Sequence, residues 1–177
     1  PEFLEDYDPT VEWDGPLVIM VNQFSASASE IMAAAMQDYK RGIVIGSNHT
    51  FGKGTVQRFV DLNETVRSKT ASEFGSLKIT IQKFYRIDGG ATQLKGVLSD
   101  IVLPDNFTYL KSGEAEQDFP MIWDKIKPAN YKTYDKYYTN LSKVKARSAS
   151  RIKESSIFRT IDENAKRIKA EDDNKSY

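Results

Sequence analysis

The sequence contains no cysteine, which removes disulfides, thiolate metal sites and cysteine nucleophiles together. It has a single histidine, His49, so a histidine-rich metal centre is excluded, and any Ser-His-Asp arrangement would have to use that one ring. An excess of one charge is lacking too. The 25 basic and 25 acidic residues cancel, and no global field favours nucleic acid or an anionic membrane. No apolar run approaches the roughly 20 residues that a membrane helix needs. With neither an initiating methionine nor a charged-then-apolar leader at Pro1, the chain reads as a fragment or a processed piece. Its 177 residues suffice for one substantial core, or for a smaller core with an appendage.

What is present is ordered. The acidic lead-in ends in a turn at Asp14-Gly15. "PLVIMVN" (16–22) is a short continuous apolar run, as expected for a strand covered on both faces. From Ala28 the apolar positions 28, 31, 32, 35, 36 and 39 predict a helix with that stripe facing inward, ending near Arg41-Gly42. "IVIG" is a second buried strand, and strand, helix, strand in so short a span implies a parallel pair. "VQRFVDL" predicts another strand, and the polar stretch "NETVRSKTASEFGS" a mobile surface loop. "LKITIQKFY" alternates as a half-buried strand with a bulge or an end near Gln82-Lys83. Asp88-Gly89-Gly90 signals a hairpin turn, and "DIVLPD" a short strand stopped by Pro104. Beyond about residue 112 the chain turns rich in Lys, Tyr, Ser and Glu, with a narrow stripe of Leu141, Val144, Ile152, Phe158, Ile161 and Ile168. That pattern predicts a helical appendage frayed after about Ala170.

Chemistry concentrates in two stretches. "NQFSASASEI" sets Ser25, Ser27 and Ser29 at alternate positions before the helix. Ser27-Ala28-Ser29-Glu30 fits a capping box, worth about 1 kcal/mol, and that alone would explain Ser27. The same junction suits a nucleophile, because the free amides of a first helical turn favour developing negative charge. The amide of Ala28 would then be an oxyanion donor. A serine hydroxyl needs a base, and the candidates are His49 and Lys53 in "GSNHTFGKGT". His49 sits in a polar turn and reads as an exposed loop histidine. Lys53 reads either as a solvated loop lysine or as a base held by Gly52, Gly54 and Phe51. A free lysine amine is neutral in only about one molecule in a thousand near pH 7, so a lysine base must be kept dry and away from carboxylates. No Asp or Glu lies between Asp38 and Asp61, and the neutral Gln57 is placed to orient the amine. A phosphate loop does not fit. Five residues separate Gly46 from Gly52, Gly54 replaces the metal-binding hydroxyl, and "TVQRFV" reads as strand rather than helix.

At these residues the sequence resembles the tail-specific proteases, or C-terminal processing peptidases, over about Trp13 to Asp105. "GPLVIMVNQFSASASEI", "AMQDYKRGIVIG", "TFGKGTVQ", "SLKITIQKFYRIDGG" and "TQLKGVLSDIVLP" carry the resemblance. It implies Ser27 as nucleophile, Lys53 as general base, Gln57 as the residue that positions the lysine, and the Ala28 amide as one oxyanion donor. The loop "GSNHTFGKG" is one residue longer than the usual form. The implied fold is α/β: the second half of a crotonase-like protease core over residues 1–110, then a helical C-terminal extension over 111–177. The implied substrates are proteins or peptides with apolar C-termini, cleaved without metal or organic cofactor in the bacterial cell envelope or periplasm. An envelope adaptor protein is among the implied partners. The family's PDZ module and the earlier part of the core would lie outside this chain, so the chain alone is expected to be inactive. The rival reading is a non-catalytic peptide-binding or scaffolding piece of the same fold.

Overall fold

The structure, a computed structural model, describes residues 5–66, 74–134, 136–137 and 140–174. Strand β1 (Val18–Val21) leads through a short loop into helix α1 (Ala28–Asp38), which returns to β2 (Ile43–Gly46). β1 and β2 are parallel, with Val18 opposite Ile43 and Val21 opposite Gly46. β3 (Thr55–Asp61), a short helix α2 (Leu62–Val66) and β4 (Ser76–Lys83) follow. β5 (Ile101–Val102) then returns to lie parallel to the other side of β2, giving the sheet order β1-β2-β5. β3 and β4 form a separate antiparallel ribbon.

The core is small. Val21, Ala33, Ala34, Val44 and Val97 are buried together, with Ile19 packed against them. Alanine at 33 and 34 lets α1 approach the sheet closely, and this fixes which face of the helix is inside. It is not the face predicted. Glu30, Ala33 and Ala34 are buried, whereas Ile31 and Met32 are exposed. The predicted stripe is split: Ala28, Ile31, Met32 and Tyr39 are exposed, while Ala35 and Met36 are half-buried.

β1 departs in the same sense. Val18 and Met20 are exposed, so this strand is covered on one face and not on both. β4 is also more open than expected, with Leu77 and Ile81 exposed. Its irregularity is a bulge: Val56 pairs with Gln82 and Gln57 with Thr80, leaving Ile81 as the extra residue before the strand ends at Lys83. Part of the stretch read as a loop is helical, namely α2; residues 67–73 lie outside the described residues, and Ser76 at the end of the stretch already belongs to β4. The hairpin turn forms as predicted. Arg86 N donates to Gly90 O at 2.7 Å, and Tyr85 bridges Ala91.

From about residue 112 the predicted helical character is delayed. Residues 112–134 wrap irregularly over the hairpin, with one 3-10 turn at Glu114–Glu116. Trp123 Nε1 donates to Ala91 O at 2.8 Å, and Ile126 N to Gly89 O at 2.9 Å. Pro120 and Pro128 remove the amides a helix would need here. Helices begin with α3 (Leu141–Glu154) and α4 (Ser156–Asp173), the latter running three residues past Ala170. Ser155 joins them and caps α4, its hydroxyl accepting from Phe158 N at 3.4 Å. The predicted stripe is half-buried between the helices, tightest at Ser148 and Ala165. No described helix is long and apolar enough to cross a membrane.

Candidate active site

The three serines divide by what their hydroxyls do. Ser25 is committed to the turn after β1: it accepts from Asn22 N at 3.1 Å and donates to Asn22 Oδ1 at 3.3 Å. Ser29 donates back to Ala26 O at 2.7 Å. Ser27 stands between them at the helix mouth with φ 58 and ψ −114, a backbone region that L residues rarely occupy. Its hydroxyl lies near the Glu30 amide without forming a capping hydrogen bond of normal geometry. The reciprocal half of the box is firmly made, Ser27 N donating to Glu30 Oε2 at 2.8 Å. Ala28 is exposed and opens α1, so its amide belongs to the first turn, ahead of the intrahelical ladder.

Glu30 does much more than cap. Its side chain is fully buried. Oε2 also accepts from Lys53 N at 2.8 Å, while Oε1 takes Gly52 N at 2.7 Å and the Thr50 hydroxyl at 2.5 Å. Ser27 N and Lys53 N thus share one carboxylate oxygen and lie within twice that bond length of each other. A buried carboxylate with four donors is satisfied, and removing it would strand three amides and a hydroxyl. Ser25 O reinforces the junction by accepting from Phe51 N at 2.9 Å. Behind the glycine loop, Gln93 is fully buried and its Oε1 accepts from Gly54 N at 2.8 Å. A Cβ on Gly54 would come within 2.6 Å of the Gln93 backbone nitrogen, so this close approach requires glycine.

Lys53 is half-buried and Gln57 exposed, and both line a cavity of about 520 Å³ that Ala26 and Phe51 also border. Ser27 adjoins that wall through Ala26. Glu114 and Asp118, remote in sequence, line the same cavity. No local pattern around Lys53 marks them, because they arrive from the wrapping segment. Among the described residues Lys53 forms no ion pair, and the Glu114 carboxylate instead accepts from Gln93 Nε2 at 3.1 Å. His49 is elsewhere. It is half-buried rather than exposed, bridges Leu98, and its Nδ1 meets Thr50 O at 2.7 Å, so that nitrogen carries the proton. It lines a different cleft with Gln23, Ser47 and Phe107. The structure therefore gathers Lys53 and Gln57 in one cavity, ties Ser27 to their loop through Glu30, and leaves His49 apart. β3 follows the glycine loop as a strand, as expected of a chain that is not a phosphate loop.

Glu30 is the residue that sequence reasoning undervalued. It was legible as a cap, and its burial had one signal: the small residues Ala33 and Ala34 share its helix face.

Residues 2–103 match the sequence profile of peptidase family S41, and residues 107–177 match that of the C-terminal domain of tail specific protease. The chain belongs to peptidase family S41. It is 54% identical over 127 residues to the tail-specific protease of Haemophilus influenzae, covering 72% of this chain and 18% of that protein. It is 39% identical over 88 residues to the carboxy-terminal-processing protease of Bartonella bacilliformis, covering 50% of this chain and 18% of the relative. A solved photosystem II D1 C-terminal processing protease aligns with TM-score 0.42 and 36% identity, over 51% of this chain and 21% of that one. The chain thus spans under a fifth of the length of the two curated relatives.

Proposed function

We propose that the full-length protein carrying this chain is a serine endopeptidase that cleaves protein substrates near apolar C-terminal tails. Ser27 Oγ attacks the scissile carbonyl while Lys53 Nζ takes its proton, and the oxyanion forms against the Ala28 amide at the mouth of α1. Lys53 then returns the proton to the departing amine, leaving an acyl-enzyme that water resolves. Gln57, neutral, orients the amine without recharging it. Such a reaction requires no metal or organic cofactor.

One observation carries this reading: the buried Glu30 carboxylate holds the Ser27 and Lys53 amides on a single oxygen, fixing the two loops against each other. Lys53 makes no ion pair among the described residues, as a lysine base requires, and Gln93 engages one of the two cavity carboxylates, Glu114. The commitment of the Ser25 and Ser29 hydroxyls to Asn22 and Ala26 favours Ser27 among the three serines.

The reading extends to the whole protein. Residues 1–110 are the second half of a crotonase-like core and 111–177 its extension, a division supported by the two family matches meeting between 103 and 107. A PDZ module and the preceding half of the core, which would bring the second oxyanion amide, complete the site. The chain alone is then inactive, because losing one oxyanion donor costs roughly 100- to 1000-fold. The envelope or periplasm is the location, and an adaptor protein there a candidate partner. The test is Ser27→Ala in the full-length protein. Cleavage of apolar-tailed peptides should vanish while the fold remains, and cleavage at the normal rate would remove Ser27 from the mechanism.

A further inference from the structure

The cavity that holds Lys53 has a second wall, built by Glu114 and by Gln117 to Met121. These lie beyond the stretch that matches the peptidase family and within the stretch that matches the C-terminal domain. They are nonetheless locked to the lysine loop. Glu114 N donates to Phe51 O at 2.9 Å. Gly113 takes φ +115, and a Cβ there would stand 2.6 Å from the same Phe51 oxygen, so the contact requires glycine. Gln93 closes the arrangement: Oε1 holds Gly54 N, while Nε2 donates to Glu114 Oε1 and to Met121 O, each at 3.1 Å. One buried glutamine thus fixes both ends of the arc relative to the loop that carries Lys53.

Within that arc Phe119 is 99% exposed and has φ 54. A non-glycine residue in that backbone region is strained, and such strain persists where the surrounding structure over-determines it. Here both ends are pinned. The result is an aromatic ring presented to solvent beside Pro120 and Met121, lining the cavity of Lys53 and Gln57.

Resting on the peptidase reading above, we infer that Phe119 is a specificity-determining residue. It contacts an apolar side chain of the substrate's C-terminal segment while the scissile bond lies at Ser27. The occupant is an extended polypeptide with a large aliphatic or aromatic side chain. Its backbone suits the polar groups of the cavity, Lys53, Gln57 and Thr80 on one side and Gln117 on the other, and its side chain suits the apolar end of the arc at Phe119, Pro120 and Met121.

The experiment measures kcat/KM of the full-length protein on peptides that differ only in the tail side chain, from Ala and Ser to Leu and Phe. Phe119→Ala should lower kcat/KM about ten- to a hundredfold for Leu and Phe tails and leave Ala and Ser tails within about twofold. Phe119→Leu should recover most of the loss. Equal loss on every peptide would assign Phe119 to packing against the rest of the protein and overturn the inference, as would no change on any. Ser27→Ala run in parallel separates the two readings. If Ser27→Ala still cleaves, both fall together; if cleavage needs Ser27 but tail preference ignores Phe119, only this inference falls.

Discussion

The junction of α1 with the glycine loop and the helical pair at the C-terminus use polar residues in opposite ways. At the junction, polar groups are buried and multiply bonded: Glu30, Thr50 and Gln93 have no exposed surface, and together they take the amides of Ser27, Gly52, Lys53, Gly54 and Val97. In α4 the polar groups lie in water and pair along the surface, as in Lys166–Asp162 and Arg167–Glu171. The first arrangement fixes atoms, because an unmade bond there costs the full desolvation of its partner. The second tolerates change, since exposed ion pairs contribute little. Positional precision in this molecule is concentrated where the proposed chemistry needs it.

Substitutions test this contrast. The largest effect should come from Lys53→Ala in the full-length protein. It should cost kcat/KM at least about a thousandfold, whereas His49→Ala, in a separate cleft, should stay within about tenfold. Peptide-cleavage kinetics on the two variants check this, and the reverse ranking would move the base to His49. Next is Glu30→Ala. It leaves three amides and a hydroxyl without their acceptor and should lower stability by about 3–5 kcal/mol, read by denaturant unfolding. A change under about 1 kcal/mol would mean that the junction is not held by this carboxylate.

Ala33→Leu should follow, costing about 1–3 kcal/mol by overpacking the close contact of α1 with the sheet. Met32→Ala on the exposed face should stay within about 0.5 kcal/mol. At the lower end, Glu171→Ala should cost at most about 0.5 kcal/mol and lose even that in high salt.

The smallest effect is a pH-dependent one at Asp162. Lys166 first, and Tyr109 next, donate hydrogen bonds that hold its carboxyl below the ordinary value. A depressed carboxyl stabilises the fold above its unfolded value of about 4, and that contribution is lost as pH falls through the lower folded value. Asp162→Asn should therefore lower stability slightly at neutral pH, leave it unchanged at strongly acid pH, and so flatten the acid limb of the stability curve, read by denaturant unfolding across that range.

Much of this was legible in the sequence, for reasons that differ by element. The parallel pairing of β1 with β2 followed from two apolar runs bracketing one helical period, and the hairpin from Asp88-Gly89-Gly90. The inward face of α1 was not legible from apolarity. Ile31 and Met32 dominate any hydrophobic pattern, yet closeness to the sheet selects Ala33, Ala34 and one carboxylate. Ser27, Lys53 and Gln57 were marked by their motifs. The second wall of the cavity was hidden because Glu114 and Phe119 reach it through Gly113 and Gln93, contacts that no local spacing encodes.

The proposal rests on the loops tied by Glu30 bringing the Lys53 amine to the Ser27 hydroxyl. Its most direct test is a crystal structure of the full-length protein with a non-cleavable tail peptide bound. Ser27 Oγ and Lys53 Nζ should stand at hydrogen-bond distance, about 2.6–3.2 Å, with no carboxylate on the amine. An amine paired with Glu114 or Asp118, or turned into solvent away from Ser27, would contradict it.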